Sequence, residues 1–131
     1  MAGWALYDYV DARGINQIER WTKNLESGYR GMLNRKLRAL QDDDERGLVP
    51  GLIEGPIKHH RHIYKLKAGG KVRLRPLLCK GPVDNDSELT LLIGATERDY
   101  VFDPPDAPDR ADIRRGEIIN DNRRRCSHVR V

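Results

Sequence analysis

Apolar and polar residues follow two different periods along this chain, and these periods predict its secondary structure. Residues 4–10 are rich in aromatic side chains and poor in helix formers, which predicts a first strand. Two runs with helical spacing follow, separated by a break at 27–28. Their apolar positions are Ile15, Ile18, Trp21 and Leu25 in the first run, and Tyr29, Met32, Leu33, Leu37 and Leu40 in the second. Two amphipathic helices joined by a short break are typical of a helical hairpin that packs against a sheet.

The middle of the chain predicts strands. An acidic run at 41–47 ends the second helix. Runs of β-like composition follow at 63–68, 72–79 and 89–95, and a long loop at 80–87 joins the last two. Pro76 falls inside the second run, which suggests an edge position or a bulge there.

The C-terminal part predicts one more helix. The run 103–106 contains two prolines and interrupts regular structure. A short helix is predicted at about 111–122, and the arginines at 123–125 predict a flexible basic tail. The predicted fold class is therefore α+β, with an N-terminal strand, a helical hairpin packed on a small antiparallel-rich sheet, and an extra C-terminal helix and tail.

Length and composition narrow the class of protein. The chain has 131 residues, enough for one domain with its own core, and a net charge of +4. Its two cysteines, Cys79 and Cys126, are far apart in sequence and do not form a disulfide framework. No apolar run approaches the roughly 20 residues that span a bilayer, and residues 1–10 do not resemble a signal peptide. We therefore expect a cytoplasmic protein with no membrane partner.

Positive charge is concentrated in the middle of the chain. No acidic residue lies between Glu54 and Asp84. A local excess of one sign of charge favours binding to a polyanion such as a nucleic acid. The cationic residues of this stretch are Lys58, Arg61, Lys65, Lys67, Lys71, Arg73, Arg75 and Lys80, and it also contains His59, His60 and His62.

A hairpin in this stretch would place most of the charge on one face. We expect a three-residue loop at 68–70, which sets Lys67 opposite Lys71. In the same register Lys65 lies opposite Arg73. Like charges directly opposite one another destabilise a hairpin, and a bound phosphate backbone would offset that cost. The alternative is a solvated strand face, although mixed charge would serve solubility better. The predicted basic face is Lys65, Lys67, Lys71, Arg73 and Arg75, and the apolar face is Tyr64, Leu66, Val72 and Leu74.

The run His59-His60-Arg61-His62 raises the question of a metal site. His60 and His62 would share a strand face, but no cysteine or carboxylate lies near in sequence to complete a ligand set. We expect no metal, and we interpret the run as an exposed basic loop that helps to bind RNA. The chain has no P-loop, GxGxxG or HExxH motif, so no cofactor is expected.

Several short motifs resemble a known family. Ile63-Tyr64-Lys65-Leu66-Lys67 is followed by Gly69-Gly70 and Val72-Arg73-Leu74, and the apolar run 91–95 continues into Thr96-Glu97-Arg98. Together with the helical hairpin, these motifs are similar to the RelE branch of the RelE/ParE superfamily, the toxins of type II toxin–antitoxin systems. The resemblance implies a toxin-like domain at 1–102 and a C-terminal extension at 103–131. It also implies a metal-independent, ribosome-dependent endoribonuclease that cuts mRNA and is neutralised by a cognate antitoxin.

The resemblance implies site residues as well. Lys65 and Lys67 match the paired lysines of the family, and Arg73 matches the arginine after its hairpin turn. Thr96 stands where the family often has a second arginine, and Arg98 follows two residues later. The implied catalytic residues are Lys65, Lys67, Arg73 and Arg98, and the predicted RNA-binding residues are Lys58, Arg61, Lys71 and Arg75.

RelE-like toxins have a tyrosine near their C-terminus, and the resemblance implies that Tyr100 or Phe102, which lacks the hydroxyl, takes its place here. Cutting RNA without a metal requires deprotonation of the 2′-hydroxyl, stabilisation of the phosphorane charge and protonation of the leaving 5′-oxygen. Arg73 suits the phosphorane because a guanidinium stays charged and binds two phosphate oxygens. Lys67, crowded by other cations, is the predicted proton carrier because such crowding disfavours the charged form of a lysine.

Two other functions fit the same fold. A ParE-like toxin would bind DNA gyrase without cutting RNA, and the departure at Thr96 keeps this alternative open. A non-catalytic module that binds a nucleic acid or a protein partner is the third hypothesis, because a fold alone does not determine function.

Overall fold

Within residues 3–42 and 51–131, which the computed structural model describes, the chain forms three α-helices and two β-sheets. The acidic run predicted at 41–47 lies mostly outside these residues. The helices are α1 Gln17–Lys23, α2 Ser27–Gln41 and α3 Ala107–Asn120, and a 3-10 turn spans Asn122–Arg124. The strands are β1 Ala5–Tyr9, β2 Ile53–Glu54, β3 Tyr64–Leu66, β4 Ala68–Gly69, β5 Arg73–Leu74, β6 Leu77–Lys80, β7 Glu88–Ile93, β8 Thr96–Arg98, β9 Val101–Asp103 and β10 Arg125–Ser127.

The strands form a main sheet and a small sheet. The main sheet has the order β10-β1-β7-β6-β3-β2, and the small sheet has the order β4-β5-β8-β9. The strands β1 and β7 are parallel, and the other strand pairs described are antiparallel. The α+β prediction with an N-terminal strand and an antiparallel-rich sheet is therefore confirmed.

Two of the predicted strands each divide between the sheets. The run 63–68 becomes β3 and β4, and the run 72–79 becomes β5 and β6, with Pro76 between the last two. Proline has no N–H to continue a ladder, but the Pro76 carbonyl accepts a hydrogen bond from Leu66 N at 3.0 Å. One long hairpin thus bends from the main sheet into the small sheet, as strands do at the corners of packed sheets.

The register predicted for this hairpin is wrong by four residues. Lys65 pairs with Leu77 instead of Arg73, and Arg73 pairs with Gly69. The turn consequently lies at 70–72, and Gly69 adopts a φ of +96° that favours glycine. Because the shift is even, the apolar face is kept at Leu66 and Leu74, which are fully buried, whereas Val72 lies in the turn and is exposed.

Two hydrophobic clusters cover the two faces of the main sheet. Leu33, Leu37 and Leu40 of α2 recur at helical spacing and pack in the first cluster. The N-terminus of α1 is capped by Asn16, whose side chain accepts hydrogen bonds from the N–H groups of Ile18 and Glu19. The helix α3 packs against β6 and β7 in the second cluster. In the part of the chain that the structure describes, no helix is long and apolar enough to cross a membrane.

Gly94, between β7 and β8, allows Trp21 of α1 to pack against the sheet. A Cβ atom added at Gly94 would overlap with the indole ring of Trp21. We expect Gly94→Ala to lower the free energy of unfolding by about 1–3 kcal/mol, because the tryptophan must leave its place. Urea denaturation measures the effect. Gly116→Ala in α3 is the control, since no atom lies within 4 Å of its added Cβ, and it should be neutral or stabilising. A neutral Gly94→Ala variant would contradict this packing.

The predicted basic tail is wrong, because the last residues form part of the main sheet. The strand β10 pairs with β1 in antiparallel orientation. Arg124 donates a hydrogen bond to the Tyr9 hydroxyl at 2.8 Å and lies 3.1 Å from Glu117. Arg125 forms a 2.8 Å salt bridge with Glu88. Arg124 and Arg125 thus bind residues of β1, β7 and α3. The strand β10 forms one edge of the main sheet.

Asp8, in the middle of β1, links the two ends of the chain. Its carboxylate is completely buried, a position that requires hydrogen-bond donors. It accepts hydrogen bonds from Asn16 Nδ2 at 2.9 Å and from Val129 N at 3.0 Å. His128 Nδ1 lies 2.8 Å from its second oxygen. Two of these three partners come from the C-terminal segment.

Candidate functional site

The small sheet carries most of the predicted site residues. A row of paired residues runs across it from Gly69 through Arg73 and Glu97 to Phe102. Residues directly opposite one another share a face of a sheet. Arg73, Glu97 and Phe102 therefore project from the same face, and this arrangement depends on the pairing of β5 with β8, which the sequence analysis did not predict.

Glu97 is the centre of an ionic cluster. Lys65 Nζ lies 3.0 and 3.1 Å from its two carboxylate oxygens, and Arg75 Nε lies 3.3 Å from one of them. The side chains are largely withdrawn from solvent, with exposed fractions of 9% for Glu97, 16% for Lys65 and 10% for Arg75. The ring of Phe102 lies 5.7 Å from Lys65 Nζ. Arg75 also donates hydrogen bonds to the backbone carbonyls of Ala68 and Leu74, so this cluster links β3 and β8 to β4 and β5.

Glu54 of β2 extends the cluster toward Lys67. The Lys67 ammonium lies 3.1 Å from Glu54, which is half-exposed. The hydrogen bond from Lys67, and then the charges of Lys65 and Lys67, lower the pKa of the Glu54 carboxyl below its usual value.

The expectation that Lys67 lies among cations alone is wrong, because a carboxylate holds it. The cost of like charges is offset by Glu54 and Glu97, which are distant in sequence from the hairpin turn. Glu97 belongs to the motif 96–98 of the sequence, but none of its neighbours in sequence indicates that its side chain is buried. The pairing of β5 with β8 is what brings it beside Lys65 and Arg75.

Two of the predicted site cations of the bent hairpin, Lys71 and Arg73, lie at its turn and remain accessible. Lys71 and Arg73 are exposed, and no salt bridge to either is formed within the described ranges 3–42 and 51–131. Arg98 is 93% exposed, and its nearest carboxylate is the equally exposed Asp99 at 3.9 Å. A shallow pocket of about 490 Å³ lies between them. We call it the arginine pocket, and it is lined by Lys71, Val72, Arg73, Thr96, Glu97, Arg98 and Asp99.

Beside the arginine pocket, the β8–β9 turn presents an aromatic side chain to solvent. Tyr100 is 93% exposed and Val101 is 60% exposed. Asp99 and Tyr100 have φ values of +51° and +65°, which is uncommon for residues other than glycine. Positive φ at both central residues is the geometry of a tight hairpin turn. Tyr100 thus keeps its hydroxyl free of the core, whereas Phe102 is half-buried in the ionic cluster.

Lys58 and Arg61, also predicted to bind RNA, lie in a separate loop that precedes β3. His60 anchors this loop to α3 through Asp109, whose carboxylate lies 3.3 Å from His60 Nε2, and through Asp112. Among the residues that the structure describes, no group of three or more histidine, cysteine, aspartate or glutamate side chains could hold a metal ion. The predicted site residues therefore fall into the ionic cluster, the arginine pocket and this loop.

Comparisons with protein-family models, with curated proteins and with solved structures find no match for this chain. The arrangement of the site is consequently the basis for assigning a function. An open pocket with two unburied arginines and a lysine can bind a phosphodiester and stabilise negative charge that develops on it. The adjacent exposed tyrosine can stack on a nucleobase or contact a protein partner.

Proposed function

We propose that this protein is a toxin of a toxin–antitoxin pair that arrests translation by cutting mRNA on the ribosome. The observation that carries the proposal is the arginine pocket, in which Arg73 and Arg98 flank an open concave surface. The N-terminal strand, the two helices and the bent hairpin follow in the order that the resemblance to RelE-like toxins implies. The proposed partners are mRNA on the ribosome and a cognate antitoxin, and the proposed location is the cytoplasm.

The proposed roles differ among the predicted catalytic residues. Arg73 and Arg98 bind the scissile phosphate and stabilise the phosphorane. Lys67 exchanges a proton with the substrate, and Glu54 at 3.1 Å holds its ammonium in place. Lys65 is a positioning residue, because its buried salt bridge to Glu97 fixes β8, which carries Arg98. The 2′-hydroxyl loses its proton to water as its oxygen forms the new bond to phosphorus, and the bond to the 5′-oxygen breaks as that oxygen takes up a proton from the Lys67 ammonium.

Induced expression tests this function. We expect synthesis of the protein in a bacterium without its antitoxin to arrest growth and to yield transcripts cut within translated regions. The purified protein should cut ribosome-bound mRNA and leave 2′,3′-cyclic phosphate ends, because the 2′-hydroxyl is the nucleophile. Ends with a 3′-hydroxyl and a 5′-phosphate, which a metal-activated water would produce, would contradict the metal-independent mechanism.

A second candidate function is inhibition of DNA gyrase by binding. It is favoured by the apolar part of the β8–β9 turn, where Tyr100 and Val101 protrude as anchors of the kind that dominate protein interfaces. Growth arrest with intact transcripts and inhibited gyrase would support this function over RNA cleavage. Normal growth with folded protein present would leave the non-catalytic binding module.

A further inference from the structure

A second basic concavity lies at the other end of the bent hairpin. It encloses about 130 Å³, where β3 begins and β6 ends. It shares no lining residue with the arginine pocket. The residues that line it are Arg61, His62, Tyr64, Lys80, Asn85 and Arg115.

The charged side chains that line this concavity are cationic, and the acidic charge that acts on His62 is that of Asp112 on α3. Arg61, Lys80 and Arg115 all line it, and no carboxylate is among the lining residues. Nor does any of the three form a salt bridge within the described part of the chain. In the ionic cluster, by contrast, the charges of Lys65 and Lys67 are offset by Glu97 and Glu54.

One polar group in the concavity lacks a hydrogen-bond partner, and a second is held in its neutral form by a neighbouring cation. The Nε atom of Arg115 is buried and has no hydrogen-bond partner among the described residues, which is costly for a charged group. Arg61 Nε donates a hydrogen bond of 3.2 Å to His62 Nε2, so the imidazole accepts and is neutral in this arrangement. Burial, together with the charges of Arg115 and Arg61, lowers the pKa of His62. A bound anion would accept a hydrogen bond from Arg115 and balance the positive charge of the lining residues.

We propose that this concavity, the phosphate pocket, binds a phosphate group of an RNA strand at a position away from the bond that is cut. Its volume of about 130 Å³ equals that of roughly four water molecules, which suits a tetrahedral oxyanion. Guanidinium groups match phosphate oxygens in pairs, and Lys80 adds a point charge. The assignment to RNA rests on the proposed function, whereas binding of phosphate itself does not.

The position of the phosphate pocket makes it a second attachment point for the strand. Tyr64 and Gly70 are six residues apart along the bent hairpin, which corresponds to roughly 20 Å of extended chain. A strand that occupies both pockets is therefore held several nucleotides from its scissile phosphate. Such a contact fixes register without reading bases, as backbone contacts generally do.

The test uses two probes, inorganic phosphate and a fully 2′-O-methylated single-stranded RNA that cannot be cut. The variant R61Q/K80Q removes two charges from the pocket and leaves Arg115, which packs near Cys79, unchanged. The control R35Q/K36Q removes the same two charges from exposed positions on α2. We expect R61Q/K80Q to weaken phosphate binding at least tenfold by NMR titration. We also expect the slope of log K for RNA against log salt to fall by about 1.4, since each contact to a single strand contributes about 0.7.

The possible outcomes separate the pocket from the proposed function. Wild-type affinity of R61Q/K80Q for phosphate would overturn the pocket. Loss of phosphate binding with unchanged RNA affinity would retain the pocket but overturn RNA as its ligand, in favour of a free oxyanion. If the wild-type protein cuts no message and yet binds both probes through these residues, the proposed function fails and the pocket stands.

Discussion

Under the proposed function, Arg73→Ala is expected to lower the rate of cutting of ribosome-bound message by about 10²–10³-fold, with a melting temperature close to that of the wild-type protein. Arg73 is exposed at the arginine pocket, and loss of one donor that stabilises charge in the transition state has an effect of this size. Stability should change little, because a substitution of an exposed side chain without partners removes few contacts. Single-turnover cutting with saturating protein measures the effect on the chemical step.

Arg123→Ala is the matched control for this experiment. Arg123 is 90% exposed and forms a salt bridge with Asp121. It lies in the 3-10 turn next to β10, and β10 and the strand β3 of the bent hairpin are separated by three strands of the main sheet. It should reduce the rate severalfold at most, as one generic phosphate contact would. Arg124 is unsuitable because it bonds to Tyr9 and Glu117. Equal and small effects of Arg73→Ala and Arg123→Ala would show that the charge acts diffusely and that the arginine pocket is not the active site.

Glu97→Gln is expected to lower the free energy of unfolding by about 3–5 kcal/mol, because it leaves two nearly buried cations without their carboxylate. Lys65 and Arg75 both depend on Glu97, and the side chain of each is at most 16% exposed. Glu54→Gln is the control, since it makes the same chemical change in a side chain that is 56% exposed. Its effect should stay below about 1 kcal/mol. Equal effects in urea denaturation would contradict the central place of Glu97.

A triple variant separates the structural role of the ionic cluster from a catalytic one. Lys65→Met, Arg75→Leu and Glu97→Leu together replace the buried charges with apolar side chains of similar size. Such replacements are often neutral or stabilising, because the desolvation cost of the ions is removed as well. We expect the triple variant to fold and to keep cutting activity within about tenfold of the wild type. A folded but inactive triple variant would assign the ionic cluster to the chemistry itself.

Elements with a clear apolar period could be predicted from the sequence. The leucines of α2 recur three or four residues apart, and the run 89–93, apolar except for Thr90, lies buried in β7. The final helix was predicted at 111–122 and forms at Ala107–Asn120. Its start was placed late because proline is tolerated in the first turn of a helix, and Pro108 occupies that turn.

Elements whose stability comes from a distant partner could not be predicted. The residues of β8, Thr96–Arg98, are polar and short, and they form a strand because β5 and β9 pair with them. Likewise, Arg125–Ser127 has the composition of a solvated tail and becomes a strand through β1. One signal was present for the second case: Asp8 shares a strand face with Trp4 and Leu6, both buried. A carboxylate on an apolar face requires donors from elsewhere in the chain.

Because Asp8 binds residues near the end of the chain, its burial during synthesis is delayed until those residues are made. Asp8 is made early, but His128 and Val129, which satisfy its carboxylate, are added about 120 residues later. At typical translation rates this interval lasts on the order of ten seconds. During that time β1 also lacks its outer neighbour β10. The nascent chain therefore completes its fold only when its C-terminal segment emerges.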